Sequence, residues 1–220
     1  MVYDFHTHTF FSEGSLSPLE LIYKAIQNNY KAIAITDHVG IGSLERIIVE
    51  VTKDCALAQA HWDIIAIPGV ELTLVPAAAI AETAKQAKEL GAQLVLVHGE
   101  TGLEPIEPGT NLAAVNSPHV DILAHPGLLS LEEAETAAAN GVFIELTARK
   151  SYSSRNGHIV KITRLAGAKL LINSDAHEKQ ELLTPALAHA IAQGAGLDDR
   201  EIETILKANP HLLLQKLGLR

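Results

Sequence analysis

The sequence predicts a closed α/β barrel of seven parallel strands, built as one domain from residues 1–220. Three features predict it. Seven short apolar stretches alternate with helical segments, the pattern of parallel strands joined by crossover helices. Apolar residues make up 47% of the chain and aromatics only 4%, so the core is drawn from Ala, Val, Leu and Ile, as suits strands covered on both faces. Six of the apolar stretches end in His, Asp or Glu: His6, Asp37-His38, Glu71, His98, His125 and Asp175-Ala176-His177. In an open doubly wound sheet those ends would spread along an edge. In a closed barrel they converge on one mouth, where chemistry is usually found.

Strands are expected near residues 2–6, 31–36, 63–70, 92–98, 120–125, 142–147 and 169–174, with helices between them. Ser17-Pro18-Leu19-Glu20 opens the first helix, with Ser17 as N-cap, Pro18 in the first turn and Glu20 closing a capping box. The Ala-rich stretch 76–90 is stopped by Gly91, 131–140 by Gly141, and 156–166 by Gly167. Two further helices are expected at about 185–193 and 199–208.

Composition excludes several classes of function. A formal net charge of −9 argues against a broad nucleic-acid interface, which needs a basic face, but not against a small anion in a locally positive pocket. No apolar run is long enough to span a membrane, and the N-terminus lacks the basic and apolar regions of a signal peptide. The one cysteine, Cys55, excludes an internal disulfide and reads as a small buried helix residue; it fits a reducing compartment, so the expected location is cytoplasmic.

A strand alternates faces, so His6 with His8, and Asp175 with His177, each read as a two-toothed clamp. The candidate metal ligands are His6, His8, Glu13, His38, Glu71, His98, His125, Asp175 and His177. Nine nitrogen and oxygen donors exceed what one first-row ion takes and suit two or three ions with bridging carboxylates. Imidazole and carboxylate without sulfur point to divalent or trivalent zinc, manganese or iron rather than a structural zinc site. A single histidine at a strand end is more often a packed or surface residue; the ordered set is what carries the reading. Asp37 is expected to orient a ligand rather than to bind. His61, His189 and His211 fall in helical stretches and read as surface residues, His119 precedes a strand at the wrong end of the barrel, and His158 is a candidate pocket residue.

With these residues in order, the sequence closely resembles the PHP (polymerase and histidinol phosphatase) family. The matching motifs are His6-Thr7-His8-Thr9 with Ser12-Glu13-Gly14, then Ile35-Thr36-Asp37-His38, Gly69-Val70-Glu71, Leu123-Ala124-His125-Pro126 and Asn173-Ser174-Asp175-Ala176-His177. They cover nearly the whole chain. The resemblance implies a distorted (β/α)7 barrel with a three-metal site at its mouth. It implies that His6, His8, Glu71 and Asp175 hold one ion, that Glu71, His98 and His125 hold a second with Glu71 bridging, and that Glu13, His38 and His177 hold the third. Family members often carry Asp or His near position 13, where this chain has the longer Glu13.

The stretch 147–158 after the sixth strand carries Arg149, Lys150 and Arg155 on the metal-bearing rim. Arg149 and Arg155 are the candidate phosphate-binding residues, since a guanidinium grips two phosphate oxygens and a helix N-terminus offers free amides. Lys150 and Tyr152 are weaker candidates. The loop 99–109, with Glu100, Glu104 and Glu107, reads as a rim or gating element or as ordinary surface. The expected activity is hydrolysis of a small phosphomonoester, such as histidinol phosphate, by hydroxide generated on a di- or trinuclear centre, with Glu71, Asp175 and His177 as catalytic residues and a small phosphorylated metabolite as partner. A phosphodiesterase or exonuclease, a non-catalytic metal-binding domain and a metal-assisted amide hydrolase stand as alternatives.

Overall fold

In the computed structural model, which describes residues 1–219, each predicted strand forms and each pairs in parallel with the next. The strands are β1 (Val2–Asp4), β2 (Tyr30–Ile35), β3 (His38–Val39), β4 (Ile65–Leu72), β5 (Leu94–His98), β6 (Ile122–Ala124), β7 (Phe143–Thr147) and β8 (Leu170–Asn173). The path is β1-β2-β4-β5-β6-β7-β8, and β3 pairs with β4 beyond β2. An eighth short strand was not expected. It continues β2 after a break at Thr36-Asp37: β2 pairs with residues 65–68 of β4, and β3 with Glu71 and Leu72.

The ring is nearly closed by the residues that follow β1 and β8. Thr7 bridges Ala176 in parallel, His8 N donates to Ala176 O at 2.9 Å, and Asp175 N donates to His6 O at 3.0 Å. The candidate ligand segments are therefore also the seam of the barrel.

Helices cover the outside: α1 (Pro18–Gln27), α2 (Leu44–His61), α3 (Ile80–Glu89), α4 (Thr110–Asn116), α5 (Leu131–Asn140), α6 (Asn156–Ala166), α7 (Pro185–Gly194), α8 (Asp199–Glu203) and α9 (Asn209–Lys216). Ser17 and Glu20 form the predicted capping box, and Gly141 and Gly167 end α5 and α6 in the left-handed conformation. The stretch expected as one helix at 199–208 opens as α8 and widens into a π-helical turn, Thr204–Ala208. Pro210 follows it; a proline ring clashes with the carbonyl one turn back, and a wider turn relieves that clash.

Strand alternation sets the layers. The side chains pointing into the barrel include Ala32 and Ala34 of β2, Ile67 of β4, Leu94 and Leu96 of β5, Ile122 and Ala124 of β6, Phe143 of β7 and Leu171 of β8, with Leu213 and Leu214 of α9 against them. Their outward neighbours Ile33, Ile35, Val95, Val97, Leu123, Ile144 and Ile172 pack beneath the helices. The same inward parity carries on to Gly69 and Glu71, to His98, to Glu145 and Thr147, and to Asn173. An apolar floor thus gives way to a polar ceiling at the C-terminal ends of the strands. Gly69 keeps the wall thin between them: a Cβ there would lie 2.9 Å from Leu94 O and 3.0 Å from Thr36 Cγ2. Cys55 is buried on α2, as expected.

Candidate metal centre

His6 and His8 follow β1 in an extended segment, both fully buried, with their Nε2 atoms 3.0 Å apart. Glu71 enters from β4. Its Oε2 lies 3.2 Å from His6 Nε2, 3.5 Å from His8 Nε2 and 2.8 Å from His38 Nδ1, and its Oε1 lies 3.3 Å from His125 Nε2. Asp175 Oδ1 is 3.2 Å from His8 Nε2. Glu13, from the loop after His8, meets His38 Nε2 at 2.7 Å and His177 Nε2 at 3.1 Å. Three groups have ligand atoms close enough to share an ion: His6, His8 and Asp175; His6, Glu71 and His125; and His8, Glu13, His38 and His177.

The grouping differs in detail from the sequence reading. Asp175 and His177 are not a strand clamp, because β8 ends at Asn173 and Asp175 turns into the left-handed region at φ 52°. That turn aims Asp175 at His8 and sends His177 across the mouth to Glu13. His125 is likewise left-handed, at φ 40°. Strained residues of this kind cluster at functional sites, held there by their surroundings. His98 stands apart from the three groups: its Nε2 meets Glu104 at 3.0 Å, and His6 takes its place beside Glu71 and His125.

The donor set fits metal ions. Both Glu71 oxygens, Asp175 Oδ1, His8 Nδ1 and His125 Nδ1 are buried without a hydrogen-bond partner among the described residues. A buried carboxylate with no partner is costly unless a compensating positive charge faces it. Without ions that charge is carried by protons. Burial works against a charged His6, but Glu145, Glu71 and Asp175 outweigh it and hold His6 well above the usual imidazole range. Burial likewise opposes a charged His38, yet Glu71 and Glu13 raise it to about 10. Burial alone would raise Glu71, Asp175 and Glu13; the surrounding imidazoles reverse this and hold all three below the ordinary carboxylate range. His8 goes the other way, pushed down to about 3 chiefly by burial, and so keeps a free nitrogen lone pair.

Several supporting residues escaped the strand-end pattern. Glu145, fully buried in β7, accepts from His6 Nδ1 at 2.7 Å and from Asn173 Nδ2 at 2.9 Å, which leaves His6 Nε2 to face the centre. Its signal was a lone acid inside the apolar run Phe143-Ile144-Glu145-Leu146. Asp4, also buried, accepts from His6 N, Ser174 N and Tyr30 Oη. Asp37, expected to orient a ligand, holds the loop that carries Glu13: it accepts from Thr9 N, Thr9 Oγ1, Ser12 N and Ser12 Oγ. Gly14 follows, where a Cβ would collide with the His8 carbonyl.

The cluster opens into a cavity of about 410 Å³, lined by Glu13, His38, His98, His125, Asp175 and His177 with Thr73, Leu74, Glu104, Pro105, Ile106, Arg149 and Tyr152. Arg149 is the one Lys or Arg among these lining residues. Its guanidinium lies 2.7 Å from His177 Nδ1 and donates to Asp175 O at 3.1 Å. Arg155 is not on the lining; it ends the 3-10 turn Ser153–Arg155, and its guanidinium lies near Gly102. His158 is tied to Leu129 O at 2.8 Å, away from the cavity. The loop 99–109 is built into the rim. Glu100 accepts from Gly109 N and Asn111 N, Glu107 from Ala77 N, and Glu104 from Tyr152 Oη at 2.6 Å. No helix among the described residues is long and apolar enough to cross a membrane.

Comparison with known proteins bears on the family and the fold. The PHP domain matches residues 4–198. An uncharacterised protein of Methanocaldococcus jannaschii is 44% identical over 218 residues, covering 99% of this chain and 100% of that one. A protein of Shewanella halifaxensis named as a probable phosphatase is 30% identical over 246 residues, covering 99% and 92%. Among solved structures, a chain in an archaeal ribonuclease P complex with mature tRNA superposes with a TM-score of 0.69 at 16% identity, covering 96% and 91%, a likeness of fold.

Proposed function

The chain belongs to the PHP family, and on that footing we propose that it is a metal-dependent phosphomonoesterase acting on a small phosphorylated metabolite. The carrying observation is that the ligand cluster and the Arg149 guanidinium meet in one cavity. One lining cation suits one phosphoryl group. A polynucleotide needs many backbone contacts, and here Glu13, Glu104 and Asp175 share the lining.

In this reading His6, His8 and Asp175 would hold one ion, His6, Glu71 and His125 a second, and His8, Glu13, His38 and His177 a third. Bound ions would supply Lewis-acid polarisation of the phosphoryl oxygens and a water acidic enough to act at neutral pH. Arg149 binds and orients the non-bridging oxygens and offsets the charge that grows on them. Asp175, held ionised by His6 and His8, serves as ligand and acceptor. Glu145 fixes the His6 ring, and Tyr152, on the cavity lining, donates to Glu104.

The test compares an aryl phosphomonoester with a bis-aryl phosphodiester, using metal-reconstituted protein beside a chelator-stripped control. Monoester turnover that disappears on chelation is expected, and histidinol phosphate then serves as the polar, cationic reference metabolite. Turnover of the diester alone, or monoester turnover indifferent to chelation, would overturn the reading.

A further inference from the structure

A second cavity, of about 390 Å³, adjoins the first and shares Leu74, His98, Pro105 and Ile106 with it. Its remaining walls are mainly apolar: Val75, Pro76 and Pro108 present accessible surface, with Leu72, Ile80 and Val97 buried beneath them. The two other polar side chains on its lining are already engaged. Glu107 Oε2 accepts from Ala77 N at 2.9 Å, and Thr110 Oγ1 donates to Glu107 O at 2.7 Å. An occupant would find more apolar than polar surface. Pro76, Pro105 and Pro108 fix φ at three positions around it.

Leu74 stands where the two cavities meet. It is 71% exposed and left-handed at φ 54°, a conformation bulky residues rarely adopt. The geometry holds a large apolar side chain out at the junction of the two spaces rather than folding it into the core.

We infer that this second cavity is the leaving-group pocket, and that the substrate is a phosphomonoester of an apolar, uncharged alcohol or phenol. The inference rests on the phosphomonoesterase reading. With the phosphoryl group among the ligands and Arg149, the ester oxygen points past His98 and Leu74 into the apolar space. A leaving group bearing a second anion would meet Glu104 and Glu107 instead of a cation.

The test uses metal-reconstituted full-length protein and a matched pair of esters, 3-methylbutyl phosphate and glycerol 3-phosphate, with Leu74→Ser and Ile106→Ser variants. Neither residue belongs to the metal or phosphate machinery. The expected result is a kcat/KM at least about tenfold higher for the apolar ester, since each buried methylene adds binding. That preference should shrink in both variants, through KM for the apolar ester alone. Binding of 2-naphthol to the chelator-stripped protein, followed by amide chemical shifts, should perturb residues 74, 75 and 106 rather than 13 and 177. Equal kcat/KM for the two esters, or naphthol shifts elsewhere or nowhere, would overturn the pocket. Naphthol shifts at 74, 75 and 106 with no ester turned over would uphold the pocket and sink the phosphatase reading.

Discussion

A histidine that binds an ion through one nitrogen must keep its proton on the other, and Glu145 settles this for His6. Its Oε2 takes the Nδ1 proton at 2.7 Å, in a layer with no solvent access. Replacing such a partner typically weakens metal binding by about 10–100-fold. Glu145→Gln keeps the size and one acceptor but loses the charge that pins the tautomer. The expected outcome is a loss of that order in affinity for the tightest-bound ion, with the fold retained, read by competition against a fluorescent chelator and by circular dichroism. Unchanged affinity would mean that the Glu145 contact merely fills space.

The loop between β1 and α1 behaves as a unit because Asp37 gathers two backbone and two hydroxyl donors from Thr9 and Ser12. Glu13 is placed by that knot, not by a strand. Asp37→Asn weakens the knot without emptying the space, so the ion bound through Glu13, His38 and His177 should be lost while those bound through Glu71 remain. Metal analysis after gel filtration reads this directly; equal loss at all sites would show that Asp37 supports the whole seam. Here the reach of sequence is visible. Strands, caps and ligand-bearing strand ends were legible because a period of two and a capping box are local. Which carboxylate meets which histidine was not, because it depends on register across the barrel and on turns such as the one at Asp175. Thus His98 found Glu104 on a rim loop, and the Arg155 guanidinium came to lie near Gly102, though both lie where the sequence put them along the chain. Glu145 was within reach: it shares the inward parity of Phe143, and attention to strand ends alone passed over it.

At the scale of the molecule, the barrel closes through its own ligand segments, so metal loading, protonation and stability are one equilibrium. In the metal-free protein His38 is raised from 6.5 to about 10 by Glu71 and Glu13 against the cost of burial, and His6 and His125 are raised as well. A base whose folded pKa is raised contributes its full stability below the unfolded value and loses it as pH climbs through the folded one. Glu13 and Glu71 are lowered from 4.5, so their contribution is present above that value and fades in acid. His8 and His98, lowered by burial, are neutral in both states above about pH 6.5, so the raised imidazoles govern there and the metal-free protein should melt at progressively lower temperature as pH climbs above about 6.5. Ions bind the deprotonated imidazoles, so their affinity rises across the same interval, and binding to the folded state alone raises its melting temperature. The gap in Tm between manganese-loaded and chelator-treated protein should widen from about pH 6 to about pH 8.5 in thermal melts. A gap that stays constant or narrows would place the proton-binding groups somewhere other than the centre that closes the barrel.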